Sequence, residues 1–443
     1  MTDERQESAL DGIIFIAVFL LCFKLFFVSW ITSDGLSYFS YLRSIVADGD
    51  LDFRNEFDWV QRWGTGRIHC GGDATQTGLV GNCFSIGPAI LWSIAYVPVY
   101  LFRYELFSHV SHAGYGIHEV YAVCFSTMVY TLAGLYLLYG LLQRFASKTN
   151  AFIATLASWL ATPLVYYMYH EPSMSHGLSF FTVTLFIHTW FTRPAKTKTD
   201  MALLGACAGL MSLVRWQNAL FIVIPVLDNA FDIKAKHKSP GKDYALALAT
   251  RLMPLALAAA VVFAPQALAW KTIYGSYFTV PQGEGFMDWA HPHLTDFLFS
   301  GKHGLFSWTP IHLLGCAGLY MLARKDRKTA IILAVAVLLQ IYLNSAVSSW
   351  HGDWSFGARR MVGSIPVFAI GLTVLLESVK TRLRIIIVIA VAAAVAWNIL
   401  LLVQVTVNHT LIDPAVPYRQ LAENQLTRAP EMARELFKAK FST

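Results

Sequence analysis

The stretch "GIIFIAVFLLCFKLFFVSWITSD", residues 12–34, decides the class of fold. It carries a single basic residue, Lys24, in a run close to the roughly 20 residues that a helix needs to cross a bilayer. The run is longer than a signal-peptide core and no small-residue cleavage site follows it, so we expect a retained signal anchor. It ends at Asp34, which places a carboxylate at the membrane boundary.

The composition of the whole chain is that of a membrane protein. Of its 443 residues, 56% are hydrophobic and 14% are charged, against about 25% charged in soluble domains. The formal net charge is +6, but most lysines and arginines lie in short segments between apolar runs, where they orient the helices. The sequence therefore predicts an all-α integral membrane protein, and nucleic acid is not an expected partner.

Twelve apolar runs are candidates for membrane helices. They cover residues 12–32, 87–102, 118–142, 151–169, 176–191, 201–214, 217–230, 252–270, 304–323, 329–348, 361–379 and 385–407. The second run is short and contains Pro88 and Pro98, so we expect it to lie in the membrane interface. The prediction is a bundle of about eleven transmembrane helices with interfacial helices in the first outer loop.

The basic loops fix the predicted orientation. With eleven crossings, "QRFASKTN", "TRPAKTKTD", "KAKHKSPGKD", "RKDRK" and "KTRLR" all lie on the side of the N-terminus, which is then cytoplasmic. Residues 1–11 form the cytoplasmic N-terminus, 12–407 the membrane bundle and 408–443 an outer tail. The longer outer segments are 33–117, 271–303 and 348–360.

The six cysteines divide into two groups. Cys70 and Cys83 share a polar outer loop, and an oxidising compartment would join them in a disulfide. The other four lie in apolar runs and are expected to be core residues: Cys22, Cys124, Cys207 and Cys316. The cysteines have no metal-ligand spacing.

Acidic residues open the first outer segment. Asp34 has two interpretations: a cap for the helix that carries Tyr38 and Arg43, or a general base, because a half-buried carboxylate accepts a proton from a hydroxyl. The acidic residues that follow are expected to be solvated, with an oxygen-ligand cation site as the alternative: Asp48, Asp50, Asp52 and Glu56.

Two short outer turns carry polar residues between apolar runs. "YHEPSMSH" offers His170, Glu171 and His176, which are either ordinary interfacial residues or face a shared outer cavity. In "SLVRWQN", Arg215 is costly in lipid and should face a carboxylate, a phosphate or water.

The segment 271–303 is rich in glycine and aromatic residues. This composition suggests a loop folded back against the bilayer, in which Lys302 and His303 contact an anionic group. The alternative is a loop that plugs the bundle.

The stretch "WHGDWSFGARRM", residues 350–361, places Arg359 and Arg360 where the chain re-enters the membrane. A guanidinium matches phosphate oxygens with two hydrogen bonds, whereas the alternative is that both side chains extend to lipid headgroups. Trp350 and Trp354 are interfacial or stack on a sugar. His351 and Asp353 are expected to pair with each other or to orient an arginine.

This layout resembles the GT-C glycosyltransferase superfamily, in particular protein O-mannosyltransferases and bacterial lipid A aminoarabinose transferases. The likeness rests on a first crossing that ends in an aspartate, a long outer loop, an acidic turn after the third crossing and outer arginines. The proline-started "GPAILWSIAYVPVYLF" is similar in place to the superfamily's interfacial helix. The layout covers most of residues 12–380, while individual motifs match loosely.

The resemblance implies roles for particular residues. Asp34 matches the first-loop aspartate that acts as general base, and Glu171 falls at the second acidic position, where aminoarabinose transferases tend to have an aspartate before proline. Arg359 and Arg360 are implied to hold the donor phosphate, with Arg43 and Arg215 as further candidates.

The sequence-based hypothesis is a transferase of the bacterial inner membrane. It would move a sugar from a polyprenyl-phosphate donor to a glycolipid, polysaccharide or protein acceptor on the outer side, with inversion and without a nucleotide. No cofactor is expected, although a divalent cation stays open. The alternatives are a transporter or flippase of a lipid-linked saccharide, and a polysaccharide polymerase or ligase that uses a carrier pyrophosphate.

Overall fold

The computed structural model describes residues 2–32, 34–63, 71–106, 113–194, 196–234, 241–413 and 415–441. Helices dominate these residues. The described strands form one antiparallel pair, β1 (Gly71–Ala74) and β2 (Val80–Asn82), in which Gly71 faces Asn82 and Ala74 faces Val80. The predicted disulfide between Cys70 and Cys83 involves residue 70, which lies outside the described residues, so it stays a prediction.

Nineteen α-helices are described. Their bounds are α1 Thr2–Phe26, α2 Asp34–Arg43, α3 Arg54–Trp63, α4 Gly87–Leu106, α5 Ile117–Leu142, α6 Lys148–Leu160, α7 Leu164–Tyr169, α8 His176–Thr192, α9 Lys198–Val214, α10 Val223–Lys234, α11 Lys242–Tyr274, α12 Leu294–Phe299, α13 Leu305–Trp308, α14 Ile311–Lys325, α15 Arg327–Ser345, α16 Ile365–Ser378, α17 Thr381–Val407, α18 Tyr418–Thr427 and α19 Ala429–Phe441. A π-helical turn follows α2 at Ser44–Asp48, and 3-10 turns occupy Trp216–Ile222, Arg359–Ser364 and His409–Ile412.

Five of the described helical segments are long and apolar enough to cross a membrane. They are α5, α11, α15, α17 and the continuous unit Arg359–Ser378, in which a 3-10 turn leads into α16. The helical membrane class is thereby confirmed. The count of about eleven crossings and the placement of α4 in the interface stay predictions.

Glycines let the membrane helices approach closely. A Cβ at Gly318 in α14 would fall 1.7 Å from the carbonyl oxygen of Gly371 in α16, and one at Gly205 in α9 would fall 2.2 Å from that of Leu255 in α11. Small residues at helix contacts are the usual basis of packing in lipid, where burial of apolar surface adds little. These contacts fix the two helix pairs on which the site depends.

The candidate site lies at one end of the bundle, which we call the Asp34 end. Four segments meet there: the start of α2, the turn 170–175, the turn that begins at Trp216 and the turn Arg359–Ser364. Helix α9 leads from Lys198 to Arg215 at its C-terminus, so Lys198 marks an opposite end about 25 Å away.

Candidate active site

Asp34 and Arg359 form an ion pair although 325 residues separate them in the chain. The Nη1 atom of Arg359 donates to Oδ2 of Asp34 over 2.8 Å, and the side chains are only 11% and 13% exposed respectively. Asp34 is the first residue of α2, where the positive end of the helix dipole favours a carboxylate. The structure thus brings the first outer segment against the last one.

Glu171 lies beside this pair in a buried turn. The backbone N–H groups of His170 and Glu171 both donate to the carbonyl of Tyr166, which tightens the end of α7 before Pro172. Burial raises the pKa of Glu171 to about 7, against the opposing pull of Arg359. Its Oε2 atom has no hydrogen-bond partner among the described residues, so this carboxyl is available to a ligand.

Arg215 faces the site with part of its hydrogen-bonding capacity unused. Its Nη1 donates to Oγ of Ser175 over 2.9 Å, and its Nη2 donates to Oε1 of Gln217 over 3.1 Å. Ser175 in turn donates to the Tyr38 hydroxyl over 2.8 Å. The Nε of Arg215 is buried and has no partner among the described residues. Because its partners are neutral, the positive charge of Arg215 remains available to an anion.

Arg360 uses its guanidinium to hold the preceding loop. Its Nη1 donates to the carbonyl of Ser349 over 2.6 Å and to that of Trp350 over 3.3 Å. Its own carbonyl accepts from Nε2 of Gln217 over 2.9 Å. The structure therefore places Arg360 at the site but turns its side chain toward backbone carbonyls.

The balance of charge at the site is positive. Three arginines converge there: Arg215, Arg359 and Arg360. The two carboxyl groups are those of Asp34 and Glu171, and Glu171 is largely protonated below pH 7. In a buried setting, like charges repel strongly unless an anion lies between them. A phosphate group would supply that anion and satisfy the unused guanidinium donors.

The two histidines of the turn lie on different sides of it. His176 is 1% exposed, lies 4.3 Å from the Tyr167 ring, and its Nδ1 has no partner among the described residues. His170 packs between the rings of Tyr166 and His409, and burial lowers its pKa to about 4, so it is neutral at pH 7. His176 belongs to the site, whereas His170 supports the turn.

The remaining predicted residues form a rim. Burial lowers the pKa of His303 to about 4, and its Nδ1 donates to the His351 carbonyl over 2.9 Å. The Asp353 backbone N–H donates to Nδ1 of His351, and the Asp353 carboxylate lies 3.9 Å from that atom. Trp354 is 47% exposed, Lys302 is exposed and Trp350 is partly buried. These contacts tie His303 to His351 and Asp353 and leave Trp354 and Lys302 accessible.

Arg43 is not brought to the phosphate candidates. It ends α2, about 13 Å from Asp34 along the helix, where Nη1 bonds Glu56 Oε1 over 2.9 Å and also Asp48. Its Nε donates to the Ala113 carbonyl, and its guanidinium lies 5.0 Å from the Tyr115 ring centre. These bonds leave Arg43 anchoring the first outer segment.

The expectation that Glu56 is solvated is wrong. Its side chain is 2% exposed, and burial raises its pKa to about 7 against the opposing hydrogen bond from Arg43. A buried carboxylate needs a hydrogen-bonding cation, which Arg43 supplies. Among the described residues, no group of three or more His, Cys, Asp or Glu side chains is arranged to hold a metal ion.

Sequence reasoning missed Tyr38, Ser175 and Gln217 as parts of the site. Tyr38 lies four residues after Asp34, on the same face of α2, so its helical spacing was an available signal. Gln217 follows Arg215 closely and links it to Arg360. Ser175 had no distinguishing signal, because serine is common in any helix-joining turn.

A multi-pass helical membrane protein is the class that this architecture defines. The chain is similar to the crystal structure of ArnT from Cupriavidus metallidurans in the apo state, with 16% sequence identity and a TM-score of 0.55. The match covers 98% of this chain and 77% of the ArnT chain. At this identity the likeness shows the fold alone. No family model matches the chain, and no curated protein matches it.

Proposed function

We propose that the protein is a GT-C-type membrane glycosyltransferase that takes a sugar from a polyprenyl-phosphate donor and transfers it to an acceptor hydroxyl on the outer side of a bacterial inner membrane. The observation that carries the proposal is the buried Asp34–Arg359 pair next to Glu171 and Arg215. The likeness to ArnT, a lipid A aminoarabinose transferase, supports the class.

The arginines bind the leaving group. Arg359 and Arg215 donate to the donor phosphate, while Arg360 positions the loop at 349–350. When the bond between the anomeric carbon and the phosphate oxygen breaks, the phosphate keeps the electron pair and its negative charge grows. Donors already aimed at that position, in a site that excludes water, stabilise the transition state without reorganising.

Asp34 is the base. Once the phosphate takes up hydrogen bonds of Arg359, the Asp34 carboxylate accepts the proton of the attacking hydroxyl. The acceptor oxygen bonds to the anomeric carbon from the face opposite the phosphate, so the configuration inverts, as in single-displacement sugar chemistry. Glu171, protonated below about pH 7, donates its proton in a hydrogen bond to the phosphate.

The rim contacts the sugar and its surroundings. Trp354 is exposed enough to stack on a sugar face, and Lys302, His351 and Asp353 offer polar contacts around it. His176 and His303 line the buried side, with Trp350 beneath the rim. His170 supports the turn that carries Glu171.

The test is turnover by purified protein. With a short-chain polyprenyl-phosphate sugar and an acceptor mixture from bacterial envelopes, we expect release of free polyprenyl phosphate. Asp34→Asn should reduce that release by at least about 1,000-fold, because general base and charge are both lost. Asp296→Asn, which changes an exposed carboxylate in α12, is the matched control and should keep normal turnover.

Three outcomes would count against the proposal. Near-normal release by Asp34→Asn removes Asp34 as base. Movement of the intact lipid across vesicles, with no release in detergent, would instead identify a flippase. Faster release from a pyrophosphate than from a monophosphate donor would identify a polymerase or ligase.

A further inference from the structure

A second charged region lies at the opposite end of the bundle, remote from the Asp34 end. A cavity of about 500 Å³ opens there between the first turns of α9 and α11 and the end of α10. This volume lies within the range of about 300–1,000 Å³ that is usual for sites of small ligands. Its wall is lined by Lys196, Lys198, Met201, Ile233, Asp243, Leu246, Ala247, Thr250, Arg251 and Pro254.

The packing of α9 on α11 explains why the cavity exists. The two helices touch backbone to backbone at Gly205 and Gly209, where a Cβ would fall 2.2 Å from Leu255 and 2.6 Å from Ala259. Toward their N-termini this close contact gives way to Met201 and to Ala247, and the helices leave a gap. Both helices begin at this end, so their positive dipole ends lie beside it.

One of the lining cations is already neutralised. Lys196 lies 2.6 Å from both Asp228 and Asp232, and Lys328 of α15 lies 2.5 Å from the same two carboxylates. These four charges cancel and join α10 to α15 and to the start of α9. Their ion pairs leave the remaining charges of the lining to act on a ligand.

The remaining lining charges favour an anion. Lys198 is exposed, and Arg251 makes one long hydrogen bond of 3.4 Å, to Oδ1 of Asn229. Asp243, also exposed, is the one carboxylate among the described residues of the lining. The carboxylate of Asp200 already caps the first turn of α9, so the positive balance comes from two cations and the N-terminus of α11 against Asp243.

The other wall of the cavity is apolar and faces the membrane. Leu246 is 68% exposed, and only 6% of the most apolar 18-residue stretch of α11 is buried in the protein. In a helix of this apolarity, exposed side chains lie against lipid. The cavity therefore joins a cationic mouth to an apolar, lipid-facing groove. Such a site is complementary to an amphiphile with an anionic headgroup.

We propose that this cavity binds an anionic glycerophospholipid, with its phosphate at Lys198 and Arg251 and an acyl chain along Leu246, Ala247 and Pro254. Basic pockets between membrane helices recognise acidic headgroups in this way. The bound lipid fills the gap between α9 and α11 and stabilises the folded protein. The proposal is independent of the chemistry at Asp34.

The experiment measures thermal unfolding of the purified full chain in detergent. It is titrated with short-chain phosphatidylglycerol, short-chain phosphatidylcholine or sodium phosphate. We expect phosphatidylglycerol to raise Tm in a saturable manner and the other two to leave it unchanged, since a ligand that binds only the folded state stabilises it. The double variant Lys198→Gln, Arg251→Gln should bind phosphatidylglycerol about 30-fold more weakly, as expected for two lost surface cations.

Two further variants keep the result decisive. Lys325→Gln, Arg327→Gln removes two exposed cations at the same end, outside the cavity, and should keep the full response. Ala247→Trp fills the cavity while leaving both cations in place, and should weaken binding even if the charge variant does not fold. An equal response to phosphatidylcholine, the same protection by sodium phosphate alone, or undiminished affinity in the folded cavity variants would overturn the proposal.

Discussion

At the scale of single residues, the site depends on Arg359, which pairs with Asp34, and on the buried carboxyl group of Glu171 beside that pair. Asp34 bonds directly to Arg359, while burial raises the pKa of Glu171 to about 7. Burial disfavours the ionised form of Glu171, and the nearby charge of Asp34 adds to this effect, so Glu171 keeps its proton below about pH 7. This division gives one group for accepting a proton and one for donating a hydrogen bond.

The pKa of Glu171 predicts a pH dependence of transfer. If its protonated form donates to the donor phosphate, kcat/KM should fall as pH rises through about 7, by about tenfold per unit well above it. Glu171→Gln keeps a neutral donor of similar shape, so its activity should change less than about threefold between pH 6 and 8. Initial rates across this range in wild type, Glu171→Gln and the exposed control Glu284→Gln measure the difference.

An unchanged slope in the Glu171→Gln variant would show that another group titrates. Loss of activity at every pH, with folding intact, would show that the ionised carboxylate is the working form.

At the scale of elements, helix α2 is held at both ends by buried charge. Asp34 at its start bonds Arg359, and Arg43 at its end bonds Glu56 and Asp48. The eight residues between them include Tyr38 and Tyr41, which pack into a second apolar core beneath the first outer segment. The anchor at Arg43 therefore sets the position of Asp34 without contacting the site.

Removing the Arg43 guanidinium should destabilise the protein more than neutralising its partner Glu56. Arg43→Met leaves Glu56 buried without its cation and should cost about 3–5 kcal/mol, whereas Glu56→Gln should cost less, because the amide still accepts from Arg43. The folded pKa of Glu56, about 7, lies above its usual value, so its contribution to stability is lost as pH rises from about 4.5 through 7.

Thermal unfolding of both variants in detergent between pH 5 and 8 tests this account. We expect the decline of Tm across that range to be smaller in Glu56→Gln than in wild type. Equal stability of Arg43→Met and wild type would contradict the anchor.

The contact of α14 with α16 makes a second prediction at this scale. Gly318→Leu would drive a side chain into the backbone of Gly371, so folded protein should largely disappear from detergent extracts. Gly140→Leu in α5, where a Cβ meets nothing within 4 Å, is the matched control and should extract normally. Equal yields of monodisperse protein on size exclusion would show that the two helices do not pack this closely.

At the scale of the whole molecule, the sequence indicates which segments carry the site but not all of their contacts. Asp34 ends one apolar run and Arg359 comes just before another, and these positions, together with the superfamily resemblance, made them candidates. Their contact joins residues 325 positions apart and therefore depends on tertiary packing. Periodicity and charge carry no such information.

The placement of Arg43 was available from helix geometry, because nine residues of helix separate it from Asp34 by about 13 Å. The burial of Glu56 was not, since an acidic loop residue looks solvated until its partner is known. The opposite end shows the same limit. The charges of its basic loops are evident in the sequence, but their pairing with Asp228 and Asp232 is not.

The measurement that tests the central claim most directly is a structure of the protein with a non-transferable polyprenyl phosphate bound. The account predicts the phosphate within about 3 Å of guanidinium nitrogens of both Arg359 and Arg215, with Oδ2 of Asp34 released from Arg359. A phosphate bound elsewhere, with the Asp34–Arg359 bond intact and Arg215 still held only by Ser175 and Gln217, would contradict it.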